Sequence, residues 1–309
     1  MPSALVTGGA GFIGSHLVTA LLKRGYSVRV LDNLSSGKLA NLEPMRNEIE
    51  FIQGDIRDRK QVIEAVHGMD VVFHLAAQVS VVESMQDPAD CFDTNVSGTN
   101  LVLQAASRAN VARVVLSSSS AVYGDQELLP TPESVELRPL SPYAASKWMD
   151  ETMAGLYTRS FNLPVICLRY FNVFGPRQDP ASPYAAAIPI FIRRLLQGQS
   201  PILYGDGGQT RDFIYVTDVA RANILAVEKA PHTGAVMNIC SGRQVSILRL
   251  LAEIQRLIPN NQRIDMQPAR AGDIYHSLGD PALARALMGF SAETNLIEGL
   301  TQTIEWMQK

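Results

Sequence analysis

The stretch that most restricts the fold is "VTGGAGFIGSHLV", residues 6–18, which follows the short apolar run "SALV" and opens a helical pattern. Gly9, Gly11 and Gly14 form a G-x-G-x-x-G array, and Gly8 extends it to a second reading, G-x-x-G-x-x-G. A chain of this kind must turn sharply from strand to helix, let its backbone approach a pyrophosphate, and pack the helix close on the sheet. Glycine meets all three demands because it lacks a Cβ. The first turn of the helix, with Phe12 and Ile13, then presents free N–H groups and the positive end of its dipole to the phosphates. The next apolar run, "SVRVLD", ends on Asp32. An acidic side chain there accepts the ribose hydroxyls of the adenosine half and repels the extra phosphate of NADP, so the expected cofactor is NAD. Asn33, Ser36 and Gly37 follow in the adjoining loop and belong to the same expected site. Asp55 in "QGDI" either contacts the adenine amino group or is a solvated loop carboxylate.

Beyond this unit, β-branched runs and helical patterns alternate, as βαβ units of a parallel sheet do. The strand candidates are "SALVTG", "SVRVLD", "IEFIQGD", "DVVFHLA", "ARVVLSSS" and "PVICLRYFNV". Helices are expected from Gly11, over "DRKQVIEAV", from Asp87 to Ala109, and from Pro142 to Phe161. The segment from Gly124 to Leu140, with Pro130, Pro132 and Pro139, reads as a loop over the carboxyl edge of the sheet, where ligands of open α/β sheets bind. The expected fold is a doubly wound α/β Rossmann sheet (residues 1–171) with a smaller α/β substrate lobe (172–309). A helix over 217–229 and the strand "GAVMNIC" interleave the two around 212–240.

Length and composition agree with this class: 309 residues, 46 % hydrophobic and 18 % charged, are ordinary globular values. A net charge of −3 supplies no basic field for nucleic acid. Cys91, Cys167 and Cys240 are far apart, and with the five histidines, His74 and His276 among them, they show no zinc spacing. No run approaches the roughly 20 apolar residues of a membrane span, and the N-terminal segment lacks the basic start of a signal peptide. The expected setting is a reducing cytoplasm.

In "SPYAASKW", Tyr143 and Lys147 stand four residues apart on one helix face. A phenol with a pKa of about 10 is a poor base at neutral pH, and a nearby ammonium favours its phenolate.

With the glycine array, Asp32, Tyr143 and Lys147 together, the chain resembles the extended short-chain dehydrogenase/reductase family, in its nucleotide-sugar epimerase and dehydratase branch. The resemblance spans nearly the whole chain. It implies that a hydroxyl at the end of the fifth strand joins Tyr143 and Lys147; in "SSSSAVYG" the matching residue is Ser119, with Ser118 as its accessory. Ser117 lines the cofactor, or with Ser120 satisfies backbone groups at the strand end. Further cofactor contacts implied are Ile56, Leu75, Ala76, Ala77, Asn95 and Tyr170. Dehydratases of this branch carry Asp and Glu where this chain has Ser120 and Ala121, so the 4-epimerases are the nearer pattern. On the sugar-nucleotide side the resemblance implies Phe171 and Asn172 in "RYFNVFGP", Ile188, Tyr204 as a uracil-stacking ring, and Arg211, Arg270 and Asp273 around the diphosphate. Ser277 falls at a position walling the sugar, where a small residue leaves room for an N-acetyl group. The expected activity is 4-epimerisation of UDP-hexoses, UDP-glucose and also UDP-N-acetylglucosamine, by a homodimer built on two helices per subunit. One departure is that "LAAQVSVVES" lacks the lysine that this pattern often offers to the cofactor diphosphate. The alternatives are a reductase, decarboxylase or dehydratase of the same family, and a non-catalytic NAD sensor or scaffold; the intact Ser119, Tyr143 and Lys147 argue against the last.

Overall fold

The computed structural model describes residues 1–180, 187–259, 262–269 and 274–309. Its strands are β1 (Ser3–Thr7), β2 (Ser27–Asp32), β3 (Ile49–Gln53), β4 (Val71–His74), β5 (Arg113–Ser119), β6 (Val165–Tyr170), β7 (Asn172–Phe174), β8 (Ile202–Tyr204), β9 (Thr210–Tyr215), β10 (Val236–Ile239), β11 (Gln244–Ser246) and β12 (Asp265–Gln267). The helices are α1 (Phe12–Lys23), α2 (Arg59–Val66), α3 (Val81–Gln86), α4 (Pro88–Phe92), α5 (Thr99–Arg108), α6 (Pro142–Ser160), α7 (Ala187–Leu196), α8 (Val216–Glu228), α9 (Ile247–Leu257), α10 (Ala282–Met288) and α11 (Leu296–Met307).

Seven strands form the main sheet in the order β10-β6-β5-β4-β1-β2-β3, every pair parallel. This is the Rossmann-type sheet expected from the alternating pattern. It is covered on both faces, which is why its central strands are almost continuously apolar. On one side Leu17, Val18 and Leu21 of α1 join Val219 and Ala222 of α8 in one core. On the other, Val62 of α2, Leu103 of α5 and Ala154 of α6 pack over Leu5, Val72 and Leu116. A separate core, with Phe174, Ile188, Phe191, Leu250 and Leu300, belongs to the later part of the chain, alongside a three-stranded sheet β11-β9-β7 and the β12-β8 pair. Helix starts are set by short polar caps: the Asp58 side chain accepts from the Lys60 and Gln61 N–H groups, and Ser141, just ahead of Pro142, accepts from the Ala144 N–H.

Two elements differ from the sequence expectation. The run "PVICLRYFNV" is two strands, because after Tyr170 the chain leaves the main sheet; Phe171 still donates its N–H to the Ile239 carbonyl at 3.1 Å, while Asn172–Phe174 pairs with β9. The helix expected from Asp87 to Ala109 is interrupted by a π-helical segment, Asp93–Gly98. Inside it Asn95 is fully buried and turned inward to serve neighbouring groups, the kind of demand that opens an α-helix locally. Helix α3, capped by the Ser80 side chain on the Glu83 N–H, is too short to leave a periodic pattern in the sequence.

Candidate active site

The β1–α1 turn is as tight as the glycine spacing requires. Gly8 has φ +70°, and a Cβ on it would sit 2.7 Å from the Ala76 nitrogen. A Cβ on Gly14 would lie inside contact distance of the Gly8 carbonyl oxygen, so α1 crosses the turn where only glycine fits. Gly11 precedes the helix as its N-cap and donates its N–H to the Gly8 oxygen at 3.1 Å. Phe12 and Ile13 begin the helix.

Asp32 closes β2 beside this turn. Its two carboxylate oxygens accept the N–H groups of Ala10 (2.9 Å) and Leu34 (2.8 Å). Burial raises its pKa above the usual carboxylate value, and those backbone donors oppose the rise. A Cβ at Gly37 would stand 2.8 Å from an Asp32 oxygen, so this loop also folds down on the carboxylate. Ser36 next to it is exposed. Just after β3, Asp55 accepts from Arg57 through Nε (3.1 Å), Nη2 (2.8 Å) and the backbone N–H (2.8 Å) and from Asn33 (3.0 Å), which hold its carboxyl far below the usual range. Ile56 is buried, its side chain filling the space where a Cβ on Gly98 would go.

After β4, the Leu75 and Ala76 N–H groups are held by the backbone oxygen and hydroxyl of Thr7 at 3.1 and 3.2 Å, with Ala77 next in line. Asn95 clamps the following residue: its Oδ1 accepts the Gln78 N–H at 2.7 Å, and its Nδ2 donates to the Gln78 carbonyl (3.0 Å) and to Ser146 Oγ (2.9 Å). It therefore ties the loop after β4 to the helix that carries Tyr143 and Lys147. The glycine cradle, the helix start and the acidic strand end fit a dinucleotide with an unphosphorylated adenosine ribose.

Tyr143 and Lys147 lie in the first two turns of α6. The Tyr143 N–H donates to the fully buried Ser84 Oγ (3.2 Å), which fixes the start of α6 against α3. Lys147 is only 2 % exposed, and its ammonium lies 3.5 Å from Oδ2 of Asp150, whose exposure is 0 %. Burial pushes the Asp150 carboxyl up to about 7, against the pull of Lys147. Strand β5 delivers the serines at the same end of the sheet. Ser117 is nearly buried, Ser118 donates to Glu151 Oε1 at 2.5 Å, and Ser119 is half-buried, its Oγ accepting only the Ala121 N–H, at 3.1 Å, among the bonds within the protein described here.

Beneath these serines lies a buried network. Arg169 of β6 pairs with both oxygens of Glu151 (2.8 and 2.7 Å) and donates to the Tyr123 hydroxyl (2.9 Å), which in turn donates to Asn238 of β10. No sequence motif singles out Ser84, Asp150, Glu151 or Arg169. The signal that could have found the acidic pair is helical spacing: Asp150 and Glu151 follow Lys147 by three and four residues, on the face that must meet the sheet.

On the other side of the cleft, Tyr170 is buried, its hydroxyl donating to Asn223 of α8 at 2.9 Å, and Phe171 packs with Tyr123 and Cys240. Asn172 is half-buried, and its Oδ1 has no hydrogen-bond partner among the described residues. Ile188 belongs to the core around Phe191 and Leu250. Tyr204 ends β8, and Arg211 in β9 donates to the Thr210 carbonyl at 2.8 Å. The Ser277 N–H bonds back to the Thr210 carbonyl at 3.2 Å, which places Ser277 beside the Arg211 strand. Arg270 and Asp273 lie outside the described residues.

The family model for the NAD dependent epimerase/dehydratase family matches residues 4–240. A UDP-glucose 4-epimerase of Mycolicibacterium smegmatis is 38 % identical, with 98 % of each chain covered. Among solved structures, a UDP-glucose 4-epimerase from Thermotoga maritima with UDP-glucose superimposes with a TM-score of 0.95 at 37 % identity, covering 99 % of this chain and 98 % of that one. A UDP-N-acetylglucosamine 4-epimerase from Methanobrevibacter ruminantium, in complex with UDP-N-acetylmuramic acid, gives the same TM-score and coverage at 40 % identity. By the extent of these matches and by its own glycine turn, the chain belongs to the NAD dependent epimerase/dehydratase family.

Proposed function

We propose that the protein is a UDP-hexose 4-epimerase acting on UDP-glucose and UDP-galactose and on their N-acetylated counterparts. Supporting this reading, Ser119 ends β5 at the carboxyl edge of the sheet, and Tyr143 and the buried Lys147 lie in the first two turns of α6, which packs on that strand, with Ser120 and Ala121 where dehydration would need carboxyl groups. The glycine turn and Asp32 would hold NAD, which would supply a hydride acceptor and donor for C4 of the sugar. Tyr143, as phenolate, receives the proton of the C4 hydroxyl, and Ser119 aligns that hydroxyl. Lys147 stabilises the phenolate and holds the nicotinamide ribose. Ser118, fixed by Glu151, supports Ser119. Asn172, Arg211, Arg270 and Asp273 anchor the diphosphate while the sugar turns over, Tyr204 stacks on uracil, and the small Ser277 leaves space for an acetamido group. Residues 1–171 form the NAD-binding part and 172–309 the sugar-nucleotide lobe, interleaved around 212–240.

The assembly we propose is a homodimer, supported by the exposed apolar side chains of α3 and α6: Val81, Val82, Met85, Trp148, Met149 and Leu156. Exposed apolar side chains on two helices that pack together suit an interaction surface. The setting is cytoplasmic, in keeping with three buried, unpaired cysteines.

Incubation with NAD and with UDP-glucose or UDP-N-acetylglucosamine, followed by separation of the epimers, tests the activity. Tyr143→Phe should cost about 10²-fold or more in rate while NAD stays bound. Net consumption of NAD(P)H, or loss of water from the sugar, would replace this reading by a reductase or dehydratase.

A further inference from the structure

Lys147 needs an explanation beyond its place beside Tyr143, because an ammonium withdrawn from water is costly unless it is paired. The groups around it come from several elements. From β4, His74 is bridged between Thr7 Oγ1 (2.7 Å, at Nδ1) and Thr99 Oγ1 (2.9 Å, at Nε2); burial and Lys147 lower its pKa to about 3, so it is neutral. From α4, Cys91 faces the pair, and from β6, Cys167 does; burial raises both thiols, which stay neutral. Also from β6, Arg169 is taken up by Glu151, the residue after Asp150, in a pair with both side chains 5 % exposed. On α6 itself the remaining titratable groups within about a turn of Lys147 are Tyr143 and Asp150, Tyr157 and Arg159 lying at the far end of the helix. Among the described residues Asp150 is the acidic group bonded to the Lys147 ammonium, and its other oxygen, Oδ1, lacks a well-formed hydrogen bond. Apart from the Thr99 side chain, which also bears on this carboxyl, the Lys147 ammonium is the group that Asp150 is placed to meet.

We propose that Asp150 is a positioning residue for the reaction: a buried counter-ion that keeps the Lys147 ammonium charged and fixed one turn from Tyr143. The inference rests on the epimerase reading for its kinetic part. It carries a sign. Above about pH 7, where the Asp150 carboxyl is ionised, removing its negative charge favours deprotonation of the groups beside it.

The test is the pH dependence of kcat and of kcat/KM for the NAD-loaded full-length chain and its Asp150→Asn and Asp150→Ala variants, read alongside the ultraviolet titration of the Tyr143 phenolate against Tyr143→Phe. Above about pH 7 the limbs of the profile, and the phenolate titration, should move to lower pH by roughly one unit. A lower kcat with an unmoved profile and an unmoved phenolate titration would overturn the proposal, since a merely structural role predicts that pattern. If the chain turns over no UDP-sugar, the function assignment fails while the phenolate titration still decides the role of Asp150. Should neither single variant fold, the paired change Lys147→Gln with Asp150→Asn decides: recovery of the fold supports the ion pair, and continued failure overturns it.

Discussion

Arg169 and Glu151 meet in a two-pronged ion pair, Nε to Oε1 at 2.8 Å and Nη2 to Oε2 at 2.7 Å, with both side chains almost wholly buried under the serines that end β5. The pair joins β6 to α6, and through Ser118 it reaches the residue before Ser119. Breaking it from one side leaves a buried charge without a partner, which costs about 3–5 kcal/mol. Glu151→Gln should therefore lose stability on that scale in denaturant unfolding and lower the epimerisation rate. A variant with unchanged stability would show that water reaches Arg169.

Gly14 has no room for a side chain. A Cβ there meets the Gly8 carbonyl oxygen head on, and backbone cannot move away as a flexible side chain would. Gly14→Ala should push α1 off the turn, costing about 1–3 kcal/mol and lowering the fraction of protein that retains NAD. Thermal unfolding and the ratio of bound nicotinamide to protein check both parts.

His74 links folding to pH. Its folded pKa is lowered to about 3 by burial, against about 6.5 in the unfolded chain. Between those values the unfolded state binds the extra proton, so the contribution of His74 is complete above about pH 6.5 and is lost as pH falls towards 3. The Asp150 carboxyl, raised to about 7, works in the opposite direction, its native form holding the proton as the unfolded carboxyl gives it up. The two are separated by variant: His74→Asn should lose less stability than the parent on acidification from about pH 6.5 to about pH 4. Unfolding curves at several pH values measure this, and parallel losses would exclude His74 as the source.

The apolar side chains of α3 and α6 bear on assembly. Leu156 and Trp148, 47 % and 46 % exposed in one chain, are the residues whose change to aspartate should disrupt a helix-on-helix contact between copies. Sedimentation should give a dimer for the parent and a monomer for Leu156→Asp. An unchanged mass would place the interface elsewhere.

The cofactor end is legible in the linear chain because its requirements are local. Close approach of backbone to backbone at Gly8 and Gly14, and a carboxylate at the end of the second strand, are properties of short runs of residues, and they leave a pattern that can be read along the sequence. The Tyr143 and Lys147 spacing is equally local, set by the pitch of one helix. The break after Tyr170 is not legible, since an apolar run reads alike whether it stays in one sheet or crosses to another. Nor is the π turn at Asp93–Gly98, which depends on where Gln78 and Ser146 lie around Asn95. What the sequence alone determined is the parallel α/β sheet, its glycine turn and the helix bearing Tyr143 and Lys147. Only the tertiary structure decided the setting of that lysine. Asp150, Glu151 and Arg169 read as ordinary charges along the chain, and become a buried counter-ion and a buried ion pair when β4, β6 and α6 close around them and exclude water.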